Sequence, residues 1–456
     1  MLAVLRNRAY RHLFTAQIVA LAGTGLATIA LSLLAYDLAG ANATVVLGTA
    51  LAIKMIAYVV VAPVASAFAD RIPRRALMVT MDVSRATVAL ALPFVSEVWQ
   101  VYVLIFVLQS ASAAFTPAFQ ATIPDVLPDE RDYTQALSLS RLAYDLESLF
   151  SPALAAALLT LISYNWLFAG TAVGFVASAV LVVSVLLPRP APVEREGGIY
   201  TKALRGTRLF LATPRLRAVL ALDLAAAAAG ATVIITTVVL VQEHLKLPVS
   251  QVSLALGAYG AGSIVVAVVL PRLLSHIPDR VVMTAGAFAL LPAFVLLAVP
   301  GFLTWPTLLV LWFAFGAASS VILTPTGRLI RRSTTPEDRT AVFAAHFSLS
   351  HGCWLLTYPL VGWLAAGAGM AVTASVTGAL ALVAALAAVR VWPSGDEVAL
   401  DHVHDDLPQE HPHLAGARVV PDGWSHNHDF VIDDLHTAWP VARVEAHSAQ
   451  GLPGPR

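Results

Sequence analysis

Twelve apolar runs separated by short polar joints occupy most of the chain, near residues 12–36, 44–67, 76–96, 99–121, 134–159, 163–187, 216–241, 249–272, 281–301, 304–325, 339–365 and 368–392. A helix needs roughly 20 apolar residues to cross a hydrocarbon core about 30 Å thick, and each run has that length. Their unbroken character excludes a closed β-barrel, whose strands alternate apolar and polar positions. The pattern predicts an all-α membrane protein with twelve transmembrane helices in two pseudo-symmetric six-helix bundles, 1–187 and 216–392. Between them, 188–215 forms a polar linker, and 393–456 forms an acidic, histidine-rich tail expected to be disordered. Within the linker, Ile199 to Phe210 alternates basic and apolar residues at helical spacing, so an amphipathic helix along the membrane surface is expected. Met1 to Arg11 is basic, but no small-residue cleavage site closes the apolar run behind it, so that run reads as a first span.

Composition agrees with the pattern and excludes an ordinary soluble domain. The chain is 58% hydrophobic and 12% charged, with a mean hydropathy of +0.76. A single cysteine, Cys353, leaves no disulfide framework. Phosphate loops, nucleophilic triads and dinucleotide fingerprints are missing from any supporting context, so neither an enzyme nor an ATP-driven pump is indicated. No bound cofactor is expected, lipid is the expected surrounding, no nucleic-acid partner is expected, and the chain is expected to be a monomer.

The formal net charge of zero hides an asymmetry. Residues 394–456 hold eleven Asp plus Glu against three Arg, a net −8, so the remainder carries +8. Basic residues concentrate in alternate connections, including Arg71, Arg74 and Arg75, Arg272 and Arg280, and Arg328, Arg331, Arg332 and Arg339. The positive-inside rule then places both termini and the acidic tail in the cytoplasm.

The two halves echo one another. Pro117, Pro128, Arg131 and Ser140 recur 208 residues later as Pro325, Pro336, Arg339 and Ser348. Ile72-Pro73-Arg74-Arg75-Ala76-Leu77-Met78 recurs, offset by 205, as Ile277-Pro278-Asp279-Arg280-Val281-Val282-Met283. Two echoes at nearly one offset point to a duplicated six-helix unit, a plan in which substrate binds between the repeats near the midplane.

Charges inside the spans are costly and are expected to have partners, water or a proton. They are Lys54, Arg141, Asp145, Glu147, Asp223, His346 and His351, with Cys353 as a soft ligand. Asp145 lies eleven residues into the fifth span, about 16 Å deep at 1.5 Å per residue. At 100° per residue, Arg141 and Asp145 share a face, and His346 with Cys353 occupies the equivalent face of the eleventh span. Facing helices would oppose carboxylate to imidazole and thiol, a mixed set suited to Zn²⁺, Ni²⁺, Co²⁺ or Fe²⁺. Equally, Arg141 and Asp145 can neutralise each other and Cys353 can be a packing residue. Asp223 is a proton carrier, a metal-pathway group or an interfacial residue. Lys54 needs an acid, and Glu147, Asp145 or Asp223 would serve. Gln109, Ser112, Phe115, Phe119 and Gln120 fit either a drug-binding cavity or ordinary packing.

The tail spells three His-x-His pairs, His402/His404, His411/His413 and His426/His428, followed by His436 and His447, so eight of thirteen histidines fall in the last 55 residues. Imidazole is the commonest ligand for zinc, nickel and copper, and Asp401, Asp405, Asp406, Glu410 and Asp429 stand nearby. Such a tail would gather or sense cytosolic metal, or be incidental composition.

Between the second and third spans, Ala65-Ser66-Ala67-Phe68-Ala69-Asp70-Arg71-Ile72-Pro73-Arg74-Arg75 resembles the signature of the major facilitator superfamily. Asp70, Arg71, Arg74 and Arg75 match position by position, while Ala65 or Ser66 stands where the family has glycine. The resemblance covers about residues 1–392 and implies alternating access, with these residues as a gate and Asp82 and Arg85 as their partners. Within the family, the chain looks like the bacterial drug-and-siderophore exporters, and its tail resembles that of the nickel-resistance exporters. That implies proton-coupled efflux of a divalent metal across a bacterial inner membrane, nickel first, then cobalt, zinc or iron. In that reading Asp145, Glu147 and Asp223 exchange metal for protons. The rival expectation is an organic drug or siderophore as substrate, the tail being a metal-sensing or protein-interaction module.

Overall fold

A computed structural model of the chain describes residues 2–39, 43–69, 72–188, 198–248, 250–395, 399–405, 407–408 and 410–440. Fourteen α-helices order the described residues: α1 Arg8–Ala39, α2 Ala43–Ala69, α3 Arg74–Ala91, α4 Val98–Val126, α5 Glu130–Leu159, α6 Tyr164–Val183, α7 Ile199–Ala212, α8 Pro214–Val239, α9 Ser250–Leu273, α10 Asp279–Ala298, α11 Trp305–Leu323, α12 Thr326–Arg332, α13 Arg339–Gly367 and α14 Gly369–Val391. All but α7 and α12 have spanning length. Ten pass as membrane spans on length and composition. Those left out are α5 and α13, whose apolar content is diluted by Arg141, Asp145 and Glu147 and by His346 and His351. The two helices least suited to lipid hold most of the charges expected to line a transport path.

The sequence echoes are visible as matching helix starts. Pro73 and Pro278 stand in extended conformation just before α3 and α10, where a missing N–H costs nothing. Asp129 caps α5, its carboxylate accepting from the Arg131 and Asp132 amides. One bundle forms as α1 packs on α5 and α6 while α3 packs on α4 and α6; the other forms as α8 packs on α13 and α14 while α11 packs on α9 and α10. Across the divide, α5 meets α9, and α13 meets α2 and α4. These contacts obey the pseudo-symmetry, because α2 corresponds to α9 and α5 to α13.

The linker helix packs on the bundles with one face and leaves Tyr200 and Leu204 exposed on the other. α7 packs against α2 and α13, with Leu209 and Phe210 buried in the core of the C-terminal bundle. Gly206 makes this possible, since a Cβ there would lie 2.0 Å from the Ala341 carbonyl oxygen. Gly206→Ala is expected to lower the stability of the purified chain by about 1–3 kcal/mol through overpacking. Thermal unfolding checks this, with Gly198→Ala, where a Cβ meets nothing within 4 Å, leaving the midpoint unchanged.

The expectation of a disordered tail is corrected for its described part. β1 Ala399–His404, β2 Arg418–Val420 and β3 Gly423–Asp429 form an antiparallel sheet in the order β1-β3-β2. Phe430 and Ile432 are buried in the C-terminal core beside Trp392, which anchors this small unit to the bundle. Burial of those side chains supplies the driving force that a purely polar tail would lack.

Candidate metal centre and transport path

Side chains two residues apart point to the same face of a strand. His402 and His404 therefore share one face of β1, and His426 and His428 share the same face of β3. The register sets His402 directly opposite His426. His413, from a 3-10 turn over Pro412–Leu414, and His436, from a turn begun by Asp433, bring their rings against the same face. Two groups of four imidazoles result, His402/His404/His413/His426 and His402/His413/His428/His436, each with ligand nitrogens within 4.8 Å of one another.

The outer contacts fix which nitrogens point inward as lone pairs. His402 Nδ1 lies 3.0 Å from the Leu400 carbonyl and His428 Nδ1 2.8 Å from the Asp429 carbonyl. His436 Nδ1 lies 2.9 Å from an Asp433 carboxylate oxygen. Carbonyl and carboxylate oxygens only accept, so each Nδ1 carries the proton and each Nε2 presents a lone pair. Yet Nε2 of His436 stands 3.1 Å from Nε2 of His402, lone pair against lone pair, and Nε2 of His413, in either tautomer, stands 3.1 Å from that of His436 and 3.3 Å from that of His428. Lone pairs aimed at one another repel unless a cation sits between them. Ligand nitrogens at about 2.1 Å from a metal are separated by about 3.0 Å in an octahedron and about 3.4 Å in a tetrahedron, which brackets the spacing here. Nε2 of His426 is buried with no hydrogen-bond partner, as a ligand awaiting a metal would be.

His402, His413 and His426 are biased towards the neutral form, as metal ligation requires. Burial lowers His402 and pushes His413 and His426 down to about 4, and the neighbouring rings add to the effect. Burial alone would raise the Asp433 carboxyl, but its hydrogen bonds from His436 and Leu435 hold it below its ordinary range. A histidine fixed by a carboxylate on its outer nitrogen is the usual support of a metal ligand. Asp433 escaped the sequence reading because its neighbour His436 was the visible signal.

His411 does not join the centre. Pro412 breaks the strand pattern, and His411 Nδ1 accepts from the His413 amide at 3.2 Å, capping the 3-10 turn instead. Asp401 is occupied by Asn427 at 3.0 Å. Asp406 and His447 lie outside the described residues.

Inside the membrane the expected meeting of Asp145 with His346 and Cys353 does not form in this conformation. Asp145 accepts from Ser263 Oγ of α9 at 2.6 Å and pairs with Arg141 at 3.3 Å, while Arg141 Nε reaches the same hydroxyl at 2.9 Å. This triad ties the bundles together across α5 and α9. His346 instead joins Asp223 of its own bundle at 3.0 Å, with Phe210 stacked on the ring. His351 points its Nδ1 at the Phe347 carbonyl and packs on Tyr58 of α2. Cys353 belongs to neither group of potential ligands among the described residues. Glu147 is the acid in electrostatic range of Lys54, and Ser151 donates to it at 3.5 Å. Phe115 and Phe119 are core residues of the N-terminal bundle rather than cavity lining.

The residues expected to form a gate are described only in part. Asp70 and Arg71 lie outside the described residues. Among the described residues, Asp82 and Arg85 pair with each other rather than with Arg74 or Arg75; Ser178 also donates to Asp82 at 2.8 Å, and Phe115 and Phe175 sandwich the guanidinium at 4.3 and 4.5 Å. Arg75 donates to the Val183 carbonyl. Arg74 pairs with Asp125 at the end of α4, and Asp125 also pairs with Arg339 at the start of α13, in the opposite bundle. A charge-reversed counterpart closes the other side: Asp279 takes the place of Arg74 and holds Arg332 at 2.9 Å, while Arg328 and Arg332 reach across to Glu130 of α5 at 2.7 Å each. Both clusters lie at the end of the molecule that carries the termini, where they bridge the two bundles.

Known proteins with related sequences and folds extend these observations. The sequence profile described as Major Facilitator Superfamily matches residues 13–224 and 220–426. The chain is 33% identical over 137 residues to the uncharacterized MFS-type transporter YfiS of Bacillus subtilis (strain 168), covering 30% of this chain and 32% of that one. It is 27% identical over 361 residues to the uncharacterized MFS-type transporter YvqJ of the same organism, 76% of this chain and 83% of that one. Macrolide efflux protein A of Streptococcus pyogenes is 26% identical over 168 residues, 36% of this chain and 41% of that protein. The match thus spans about a third of the first of these relatives' length. Among solved structures, the human organic anion transporter MFSD10 superposes with a TM-score of 0.73 at 14% identity, covering 84% of this chain and 99% of that one. A bacterial homologue of the iron transporter ferroportin in an outward-facing state superposes with a TM-score of 0.69 at 14% identity, covering 84% and 99%.

Proposed function

We propose that this chain, which belongs to the Major Facilitator Superfamily, exports a divalent transition metal, nickel first among the candidates, in exchange for protons. The observation that carries this reading is the convergence of six imidazoles, of which His402, His428 and His436 have their outer nitrogens engaged, with inner nitrogens 3.1–3.3 Å apart. Imidazole-rich sites favour Ni²⁺, Cu²⁺, Zn²⁺ and Fe²⁺ over Mg²⁺ and Ca²⁺. The centre lies outside the spans, so it gathers or senses metal, while Asp145, Glu147 and Asp223 serve translocation. Each carboxylate is paired here with Arg141, Lys54 or His346, a partner that can release it for a cation or a proton. With the basic connections inside, the tail faces the cytoplasm of a bacterial inner membrane, and outward movement follows.

A second reading keeps the fold and takes an organic substrate, supported by the similarity to macrolide efflux protein A. Inverted vesicles under an imposed proton gradient separate the two. Metal uptake that is lost in Asp145→Asn and Asp223→Asn, with Ni²⁺ binding to the tail retained, supports the metal reading. Movement of a macrolide or dye without any movement of Ni²⁺, Co²⁺ or Zn²⁺ refutes it.

A further inference from the structure

One guanidinium connects the tail centre to the gate. We propose that metal held by the six imidazoles closes the gate through Arg205, making the tail a regulator of the transport cycle; this rests on the metal reading above. The connection begins at His436, whose amide and Nδ1 donate to Asp433 Oδ1 at 2.7 and 2.9 Å. The next residue, Asp434, accepts from Arg205 Nη1 at 2.8 Å and Nη2 at 3.1 Å. The same Arg205 donates from Nε at 2.6 Å and Nη2 at 2.9 Å to Asp338. Asp338 immediately precedes Arg339, the first residue of α13 and the one that bridges to Asp125. Arg205 lies on α7, the helix that joins the two bundles, so both halves of the transporter feel its position.

Metal matters because the two arms of Arg205 differ in exposure. The Asp338 side chain is 4% exposed and that of Asp434 is 76% exposed. An exposed ion pair contributes little, because ordering two long side chains offsets the Coulomb gain. Metal on His436 would immobilise the turn from Asp433 to His436 and hold Asp434 in place, strengthening the outer arm. A planar fork gripped on both edges then fixes Asp338, and with it Arg339. An aromatic relay runs beside the ionic one. Phe430 packs on His402 at 5.0 Å, on His436 at 4.7 Å and on Trp439 at 5.2 Å, and Arg215 of α8 lies 5.1 Å over Trp439.

Coupling of this kind is reciprocal, so a closed gate must also tighten metal binding. The test uses the full chain in lipid nanodiscs, with Cys353→Ser and Ala344→Cys to report gate opening through thiol labelling. Ala344 is buried between α2, α4 and α13, five residues beyond Arg339. Ni²⁺ is expected to slow labelling by about 5- to 150-fold, the usual range of coupling between sites. Asp434→Asn and Arg205→Gln are expected to bind Ni²⁺ at the same stoichiometry by calorimetry and to lose the slowing. Binding of Ni²⁺ with unchanged labelling, or slowing that survives both substitutions, overturns the regulatory link alone. No binding of Ni²⁺ by the unsubstituted tail overturns both this link and the metal reading beneath it.

Discussion

Replacing His402 and His413 together by alanine is expected to abolish high-affinity metal binding by the full chain. These two rings belong to both groups of four imidazoles, so their loss leaves neither group with more than two ligands. Removing an outer-shell partner alone typically costs about 10–100-fold in affinity, and Asp433→Asn should fall in that range because it frees the His436 ring. Loss of two direct ligands should exceed it. His411→Ala is the control, since that ring caps a turn and should cost no more than a cap, about 1 kcal/mol. Titration calorimetry with Ni²⁺ and Zn²⁺ reads all three. Equal affinity in the double alanine variant and the unsubstituted chain would place the metal elsewhere.

The second large effect concerns the gate. Among the described residues, Asp125 is the carboxylate that pairs with both Arg74 and Arg339, and both arginines are largely buried. In Asp125→Asn two like charges face one another with their shared counter-ion gone. Removing one partner of a buried pair costs about 3–5 kcal/mol, which shifts the closed-to-open ratio roughly a hundredfold or more. Thiol labelling at Ala344→Cys should rise by that order, and transport should stall with the termini end open. Asp125→Glu should restore much of the closure. Unchanged labelling in Asp125→Asn would show that the Glu130 cluster with Arg328 and Arg332 closes this end alone.

The helical frame was legible because a 3.6-residue backbone in lipid must be apolar over a fixed length, and the apolar runs matched the helices closely. The twofold echo was legible because Pro73 and Pro278 mark the same helix starts in both halves. The partners of the gate were hidden. Asp125 lies in no signature, and its role exists only where α4 meets α13 in space. Asp82 and Arg85 stood close to the signature in sequence, yet Phe115 and Phe175 from other helices claim the guanidinium. His-x-His is ligand composition and also the two-residue period of a strand, so pairing β1 with β3 turns two such motifs into four imidazoles on one face. Pro412 spoils that period for the third motif, which is why His413 enters the centre and His411 does not.

X-ray absorption at the nickel edge of the purified, Ni²⁺-loaded full chain tests the metal-handling claim most directly. The predicted spectrum shows four to six imidazole nitrogens at about 2.1 Å and no sulfur neighbour, and the imidazole signature disappears in the variant lacking His402 and His413. A chain that retains no nickel, or nickel surrounded by oxygen or sulfur with the tail histidines uninvolved, would contradict it.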